Sequence, residues 1–411
     1  MKVLTLTGKD FFGAGRAALR LHQGLCAIGV DAKMYVADKR SDDDTVVNIY
    51  PSFIQQNLIK LYRNLEDKTI NKYSDRQKGL FSSARYGMNP LSAIKKFKPD
   101  IVHLHWINRG FMKIDFLEQI DVPVIISLHD MWTFTGGCHY TGDCTNYLNG
   151  CQQCLFLNSD KEGDQSQLNF IKKQKVYTSK KDLTIIGLSK WMAHEAKSSA
   201  LLRNKHVVNL PNGINLDEFK PQNSTEFKKE QGLSTSKKLV LFGAVAALDE
   251  PRKGFAYLKE ALGQLNSEKY ELVIIGGDKT FEQEGFTIHN LGNINDDKLM
   301  INFLSAADVV VVPSIQENLS NVIMESLACA TPVVAFKIGG NSDMISHKEN
   351  GYLSELNSNE LAEGIRWCTS NENLSTISKQ ARETVVKKFD IRNVSQQYLE
   401  LYNSIINAAD R

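Results

Sequence analysis

Nine short apolar runs recur along this chain, each followed by a longer stretch of helical periodicity. In the first half they are Lys2 to Leu6, Asp31 to Val36, Ile101 to His105, Val124 to Leu128 and Leu183 to Leu188. In the second they are Leu239 to Ala244, Glu271 to Gly276, Val309 to Pro313 and Pro332 to Phe336. Alternation of this kind predicts parallel sheets covered by helices, because a parallel strand needs a crossover long enough to hold a helix. Between the two series, "LPNGINLDEFKPQNSTEFKKEQG" gathers Pro, Asn, Gly and charge, which places a domain boundary near residue 212. Two doubly wound, Rossmann-like α/β domains follow. Ligands of such sheets sit beyond the carboxyl ends of the strands, so a cleft between the domains is the expected site.

The remaining bulk properties exclude several classes. A chain of 411 residues with 42% hydrophobic content is too long for one ordinary domain. A net charge of +2 gives no case for a nucleic-acid partner. The opening "MKVLTLTGKDFFG" runs from a strand into a glycine-bearing loop and lacks the apolar core of a signal peptide, and no run is long enough to span a bilayer. A cytoplasmic location is expected.

The stretch "SIQENLSNVIMESLACATPVV" (314–334) carries two glutamates around a helix start. "ADVVVVPS" reads as a buried strand, "QENLS" as the loop at its carboxyl end, and Ser320 as the N-cap of a helix whose packing stripe is Ile323, Leu327 and Ala330. At ~100° per residue, Glu325 lies about 200° around from Ile323 and so points away from that stripe. Glu317 precedes the helix, where unpaired backbone N–H groups favour an anion. Both glutamates could equally be favourable charges near a helix start.

Their spacing and surroundings resemble the retaining glycosyltransferases of the GT-B fold, family 4, which carry a carboxylate pair separated by seven residues. The likeness extends through "DIVHLHWIN" (100–108), "SLHDMWTFTGGCHYTGDC" (127–144), "LPNGINLDEFKP" (210–221) and "DEPRKGF" (249–255), and is strongest to the branch that builds bacterial exopolysaccharide and O-antigen chains. The resemblance implies a nucleotide-sugar donor, UDP being the commonest in that branch, and a saccharide or lipid-linked acceptor. The acceptor-side domain would be residues 1–210 plus 390–411, with "FDIRNVSQQYLELYNSI" as a helix returning to it; the donor-side domain would be 211–389.

Residue by residue, the likeness implies that Glu317 holds hydroxyls of the transferred sugar and Glu325 those of the ribose. The amides of Asn318, Leu319 and Ser320 would cradle the diphosphate, and backbone near Gly292 and Asn293 would meet the base. Lys253, helped by Arg252, would stabilise the leaving phosphate with no catalytic metal, as a fixed cation and aligned amides can. One departure stands out: Ala244 occupies a position where the family often has a basic residue. In the first domain, Gly13 and Gly15 resemble the family's loop facing the diphosphate, and they lack the third glycine of a dinucleotide fingerprint. His129 and Asp130 project from a strand end; by resemblance His129 contacts the transferred sugar and Asp130 lies on the acceptor side. His103 and His105 alternate on one strand, so one of them reaches the site, and His105, nearer the strand end, is favoured. No residue is assignable as the nucleophile of a double displacement, and the family likeness implies front-face attack instead.

Four of the seven cysteines, Cys138, Cys144, Cys151 and Cys154, fall within "CHYTGDCTNYLNGCQQC". In a cytoplasmic chain the cluster suits a structural zinc site, with His139 as a substitute ligand, or else free thiols or labile disulfides. Residues 53–86 mix apolar and basic positions, a pattern that serves peripheral contact with an anionic membrane or, more commonly, a solvated helical face. Two alternatives accompany the transferase reading: a nucleotide-sugar-binding protein of weak turnover, prompted by Ala244, and a GT-B sugar-nucleotide epimerase.

Overall fold

In the computed structural model of the chain, which describes residues 1–83, 85–244, 248–370, 372 and 374–409, the β-branched runs become the central strands of two parallel sheets. The first contains β1 (Lys2–Leu6), β2 (Asp31–Val36), β3 (Val46–Asn48), β4 (Ile101–Leu104), β5 (Val124–Leu128), β6 (Leu183–Gly187) and β7 (His206–Asn209), in the order β3-β2-β1-β4-β5-β6-β7. The second contains β8 (Lys238–Gly243), β9 (Tyr270–Ile275), β10 (Thr287–Asn290), β11 (Val309–Val312), β12 (Val333–Phe336) and β13 (Gly351–Ser354), in the order β10-β9-β8-β11-β12-β13. All nine runs predicted from the sequence are present, each within one residue of its expected bounds. The four strands that the sequence reading omitted, β3, β7, β10 and β13, are the four sheet edges.

The helices of the first unit are α1 (Phe12–Ala27), α2 (Phe53–Asn71), α3 (Leu91–Phe97), α4 (Gln165–Ser179) and α5 (Lys190–Ser198). Those of the second are α6 (Thr225–Glu230), α7 (Phe255–Leu262), α8 (Asp297–Ala306), α9 (Asn321–Ala328), α10 (Asn341–Met344), α11 (Ser358–Thr369) and α12 (Leu374–Lys388), and α13 (Ile391–Ala409) closes the chain. The chain divides into Met1–Gly213 with Arg392–Arg411, and Ile214–Ile391. Nearly all of α13 therefore belongs to the first unit, where Tyr398 and Tyr402 are buried.

Each unit has its own core. In the first, β4, β5 and β6 are buried along their whole length; in the second, β9, β11 and β12 are. Burial of both faces is why these strands are dominated by apolar residues, without strict alternation, and why β11 and β12 are apolar throughout. Each sheet also has one topological switch point. From β1 the chain winds outward to β3 and then returns to β4 on the other side of β1; from β8 it winds outward to β10 and returns to β11 on the other side of β8. Crossovers leave such neighbouring strands toward opposite faces, which opens a crevice at their carboxyl ends.

One expectation about α9 is corrected. Its cap is as predicted, the Ser320 hydroxyl accepting from the Ile323 N–H at 3.5 Å, an arrangement worth about 1 kcal/mol. Its exposure pattern is not. Ile323, Met324, Glu325, Ser326, Leu327 and Ala328 are all buried, and Ala330 lies beyond the helix end with φ of 60°. The helix packs against β11, β12, α8, α10 and α12, which bury it from Ile323 to Ala328 and leave only Asn321 and Val322 partly exposed.

Candidate active site

The switch point of the second sheet gathers the acidic and basic residues of two loops. β11 ends at Val312, and Pro313 and Ser314 lead into the loop that carries Glu317; β8 ends at Gly243, and its following loop reaches the turn at Pro251–Lys253. The turn crosses the end of β11 at close quarters. Gly254 has φ of 70°, and a Cβ there would lie 1.7 Å from the Pro313 carbonyl oxygen, so only glycine permits this crossing. The crossing is fixed by two further bonds: Ile315 N–H donates to the Arg252 carbonyl at 2.9 Å, and the Arg252 guanidinium donates to the Gln316 carbonyl at 2.7 Å.

Lys253 Nζ consequently stands 2.7 Å from Glu317 Oε2, with Arg252 at 3.4 Å from the same oxygen. Burial pushes the Glu317 carboxyl up, but Lys253, Arg252 and the Asn318 amide hold it at about 2. Glu317 is therefore an ionised acceptor at any physiological pH, with 8% of its surface exposed. The Asn318 amide adds to the groups that lower Glu317. Leu319 and Ser320 are buried beside it at the start of α9. Glu325 is 5% exposed. Gly292 and Asn293 meet the end of β9: the Gly292 carbonyl accepts from Gly276 N–H at 2.6 Å, and Asn293 Oδ1 from Gly277 N–H at 3.1 Å. Ala244 adjoins the same strand end, its N–H donating to the Ile275 carbonyl at 3.0 Å.

In the first unit, β4 and β5 end side by side and bring their histidines together. His105 Nδ1 and His129 Nε2 share a hydrogen bond of 2.8 Å. His103 is consumed by the core, bonded to Tyr402 Oη at 2.7 Å and Ser127 Oγ at 2.8 Å. The sequence reading chose His105 over His103 for the site, and the tertiary structure supplies the partners that occupy His103. Burial lowers all three: His103 to about 3, His129 to about 4, and His105 well below its ordinary value, with the neighbouring imidazoles adding to the effect for His105. His105 Nε2 is buried with no hydrogen-bond partner among the described residues.

Asp130 accepts from Trp106 Nε1 at 3.1 Å, the Trp132 N–H at 2.9 Å and His139 Nδ1 at 2.7 Å. Burial pushes its carboxyl up, and His139 with the other donors brings it below the ordinary range. Those donors tie Asp130 to the β4 end and to the loop after β5. Gly13 and Gly15 do not form a loop before α1 but lie within its first turn. A Cβ at Gly15 would lie 2.5 Å from the Lys9 carbonyl oxygen, whereas Gly13 is open. The left-handed position is filled by Phe12, with φ of 61°.

Cys138, Cys144, Cys151 and Cys154 line one small cavity with Phe81, Tyr147 and Phe156. They are free thiols, and among the described residues no three His, Cys, Asp or Glu side chains are placed to hold a metal ion. Burial pushes Cys138, Cys154 and Cys151 up, the last to about 12. His139, the suggested substitute ligand, is spent on Asp130 and Ser82. Lys173, unnoticed in the sequence, is buried nearby, its ammonium over the Trp132 ring at 3.7 Å and bonded to the Trp132 and Thr135 carbonyls.

Two parallel α/β units, each with polar groups at a strand switch point, define a class. Solved GT-B glycosyltransferases share the fold: a protein of Anabaena crystallised with UDP superposes with TM-score 0.63 at 17% identity, covering 98% of this chain and all of that one. Residues 238–371 match the family described as glycosyl transferases group 1. That match is confined to the second unit, and the two-unit architecture is that of the GT-B fold. An uncharacterised glycosyltransferase of Methanocaldococcus jannaschii is 27% identical over 330 residues, 74% of this chain and 82% of that protein. The UDP-Gal:alpha-D-GlcNAc-diphosphoundecaprenol alpha-1,3-galactosyltransferase of Escherichia coli is 25% identical over 209 residues, 48% of this chain and about half, 55%, of that enzyme.

Proposed function

We propose that this protein is a retaining glycosyltransferase of family 4, transferring a hexose from a nucleotide-sugar, UDP-linked, to a saccharide or lipid-linked saccharide in surface polysaccharide synthesis. The observation that carries this reading is the salt-bridged cluster of Glu317, Lys253 and Arg252 at the second sheet's switch point. An ionised carboxylate accepts sugar hydroxyls, and cations beside it meet the negative charge that grows on a departing diphosphate. On donor binding Lys253 exchanges part of its interaction with Glu317 for the phosphate, and the Leu319 and Ser320 amides add dipoles from the start of α9. Glu325 takes the ribose hydroxyls, and the strand end at Gly276, Gly292 and Asn293 takes the base.

Transfer follows front-face attack: the acceptor hydroxyl bonds to the anomeric carbon as the bond to the diphosphate breaks, and a phosphate oxygen takes the proton. His129 orients the sugar through a hydrogen bond, with His105 fixing its ring. These steps use no catalytic metal. The UDP bound to the Anabaena protein and the lipid diphosphate acceptor named for the E. coli enzyme support the donor and acceptor classes. Peripheral membrane contact at the cytoplasmic face fits the start of α2, where Phe53 and Ile54 are 81% and 72% exposed.

Nuclear magnetic resonance of a UDP-, GDP-, ADP- and dTDP-sugar panel with saccharide acceptors tests the reading. Consumption of a UDP-sugar only when acceptor is present supports it. Binding without consumption supports the weak-turnover alternative, which Ala244 favours, and conversion without acceptor would identify an epimerase.

A further inference from the structure

The first sheet has its own switch point between β1 and β4, and cations converge there that the mechanism above does not use. Lys9 follows β1, Arg40 follows β2, Arg109 follows β4, and Arg63 reaches across from α2. Two of them share the Phe11 ring, the Arg40 guanidinium lying 3.7 Å and the Lys9 ammonium 4.9 Å from its centre. Arg63 Nε donates to the Arg109 carbonyl at 2.8 Å. Burial and the charges of Arg63, Arg40 and Arg109 lower Lys9, and burial with Arg109 lowers Arg63, Asp38 opposing both.

Three nearby carboxylates offset part of this charge, and none forms an ion pair with Lys9, Arg40 or Arg63 among the described residues. Asp67 is paired with Arg109. Asp10 is spent on the backbone N–H groups of Arg40 and Ser41, at 2.8 to 3.0 Å. Asp38 lies beside Lys9, in a parallel bridge with it, and raises both Lys9 and Arg63. Among the described residues, Lys9, Arg40 and Arg63 have no carboxylate ion pair. Two loops here also hold non-glycine residues in the left-handed region, Phe12 at φ 61° and Arg109 at φ 57°. Such strain persists where the surroundings impose it, and it gathers at ligand sites. Crowded cations in a sheet's switch-point crevice favour an anionic ligand.

We propose that Lys9, Arg40 and Arg63 form a binding site for a phosphate or diphosphate group carried by the acceptor. The proposal rests on the transferase reading, which it narrows: the acceptor is a phosphorylated or diphosphate-linked saccharide, and an uncharged sugar is a poor substitute. Arginine forks match phosphate oxygens in pairs, and Lys9 adds a point charge.

Inorganic diphosphate is the probe, titrated calorimetrically into the full chain with and without saturating UDP. Diphosphate binding that persists with UDP present, weakens by about tenfold or more in the K9Q/R63Q double variant, and weakens with added salt is the expected result. UDP affinity should be equal in both proteins, which also shows that the variant is folded; R40Q is the milder second variant, expected to lose about a fewfold. Diphosphate that UDP displaces completely marks the donor's own phosphate site and overturns the proposal, as does binding insensitive to the substitutions. If UDP itself fails to bind the unaltered chain, the transferase reading falls, while the response to K9Q/R63Q still decides whether the anion site exists.

Discussion

Lys253 Nζ lies 2.7 Å from Glu317 Oε2, a pair separated by 64 residues of sequence and joined by the crossing of a turn over the end of β11. Replacing Glu317 by Gln keeps the shape and removes the charge that holds both cations. Sugar transfer should fall by about 10²-fold or more, with the nucleotide affinity changed far less. Steady-state rates and UDP titrations on the same E317Q preparation check this; transfer within a fewfold of the unaltered rate would remove Glu317 from the chemistry.

The pair also sets an acid limit. Glu317 falls from an ordinary 4.5 to about 2 in the folded chain, so its ionised form favours folding above pH 4.5. That contribution is lost as pH drops from about 4.5 toward 2, and it amounts to at most about 3 kcal/mol. Urea unfolding at pH 6 and pH 3.5 should show a smaller loss for E317Q than for the unaltered chain. Equal losses would mean that another group governs the acid side.

Gly254 tests the geometry itself. In G254A the new methyl meets the Pro313 carbonyl and the backbone stays left-handed, which should cost about 2 kcal/mol or more. A lowered Tm together with weakened UDP binding is expected, because Arg252 and Lys253 must shift to relieve the clash. An unchanged Tm would contradict the close crossing.

His129 is lowered to about 4 and His105 well below its ordinary value, so both rings stay neutral at physiological pH. The rate profile should therefore show no histidine titration between pH 5 and 8. Stability responds differently: as pH falls below about 6.5 the unfolded chain binds protons that these buried rings do not, so folding weakens from there down toward pH 4. H105N, which keeps one ring-like hydrogen-bonding edge, should lower transfer about tenfold through a misplaced His129 while flattening that loss.

The cysteine cavity distinguishes thiols from a metal site. Raised thiols are protonated and slow to alkylate, so Cys138 and Cys151 should react with iodoacetamide only after unfolding. Tag-free protein should carry less than about a tenth of an equivalent of zinc; one full equivalent would show that the four sulfurs converge on a metal.

The sequence by itself determined the class of fold, since strands buried on both faces, such as β11 and β12, are unbroken apolar runs alternating with helical stretches. It did not show β3, β7, β10 or β13, because an edge strand pairs on one side only and needs little apolar character: β10, "TIHN", has no fully buried residue. It marked Glu317, Arg252 and Lys253 by local motif, and Ser320 by its capping chemistry. Only the tertiary structure decided that the two cations rest on that glutamate, that Glu325 is enclosed, that His103 bonds to Tyr402, and that Lys9 and Arg40 gather at the Phe11 ring. Helical and strand periodicity depend on neighbours within a few residues, whereas each of these outcomes depends on loops brought together by the order in which strands enter a sheet.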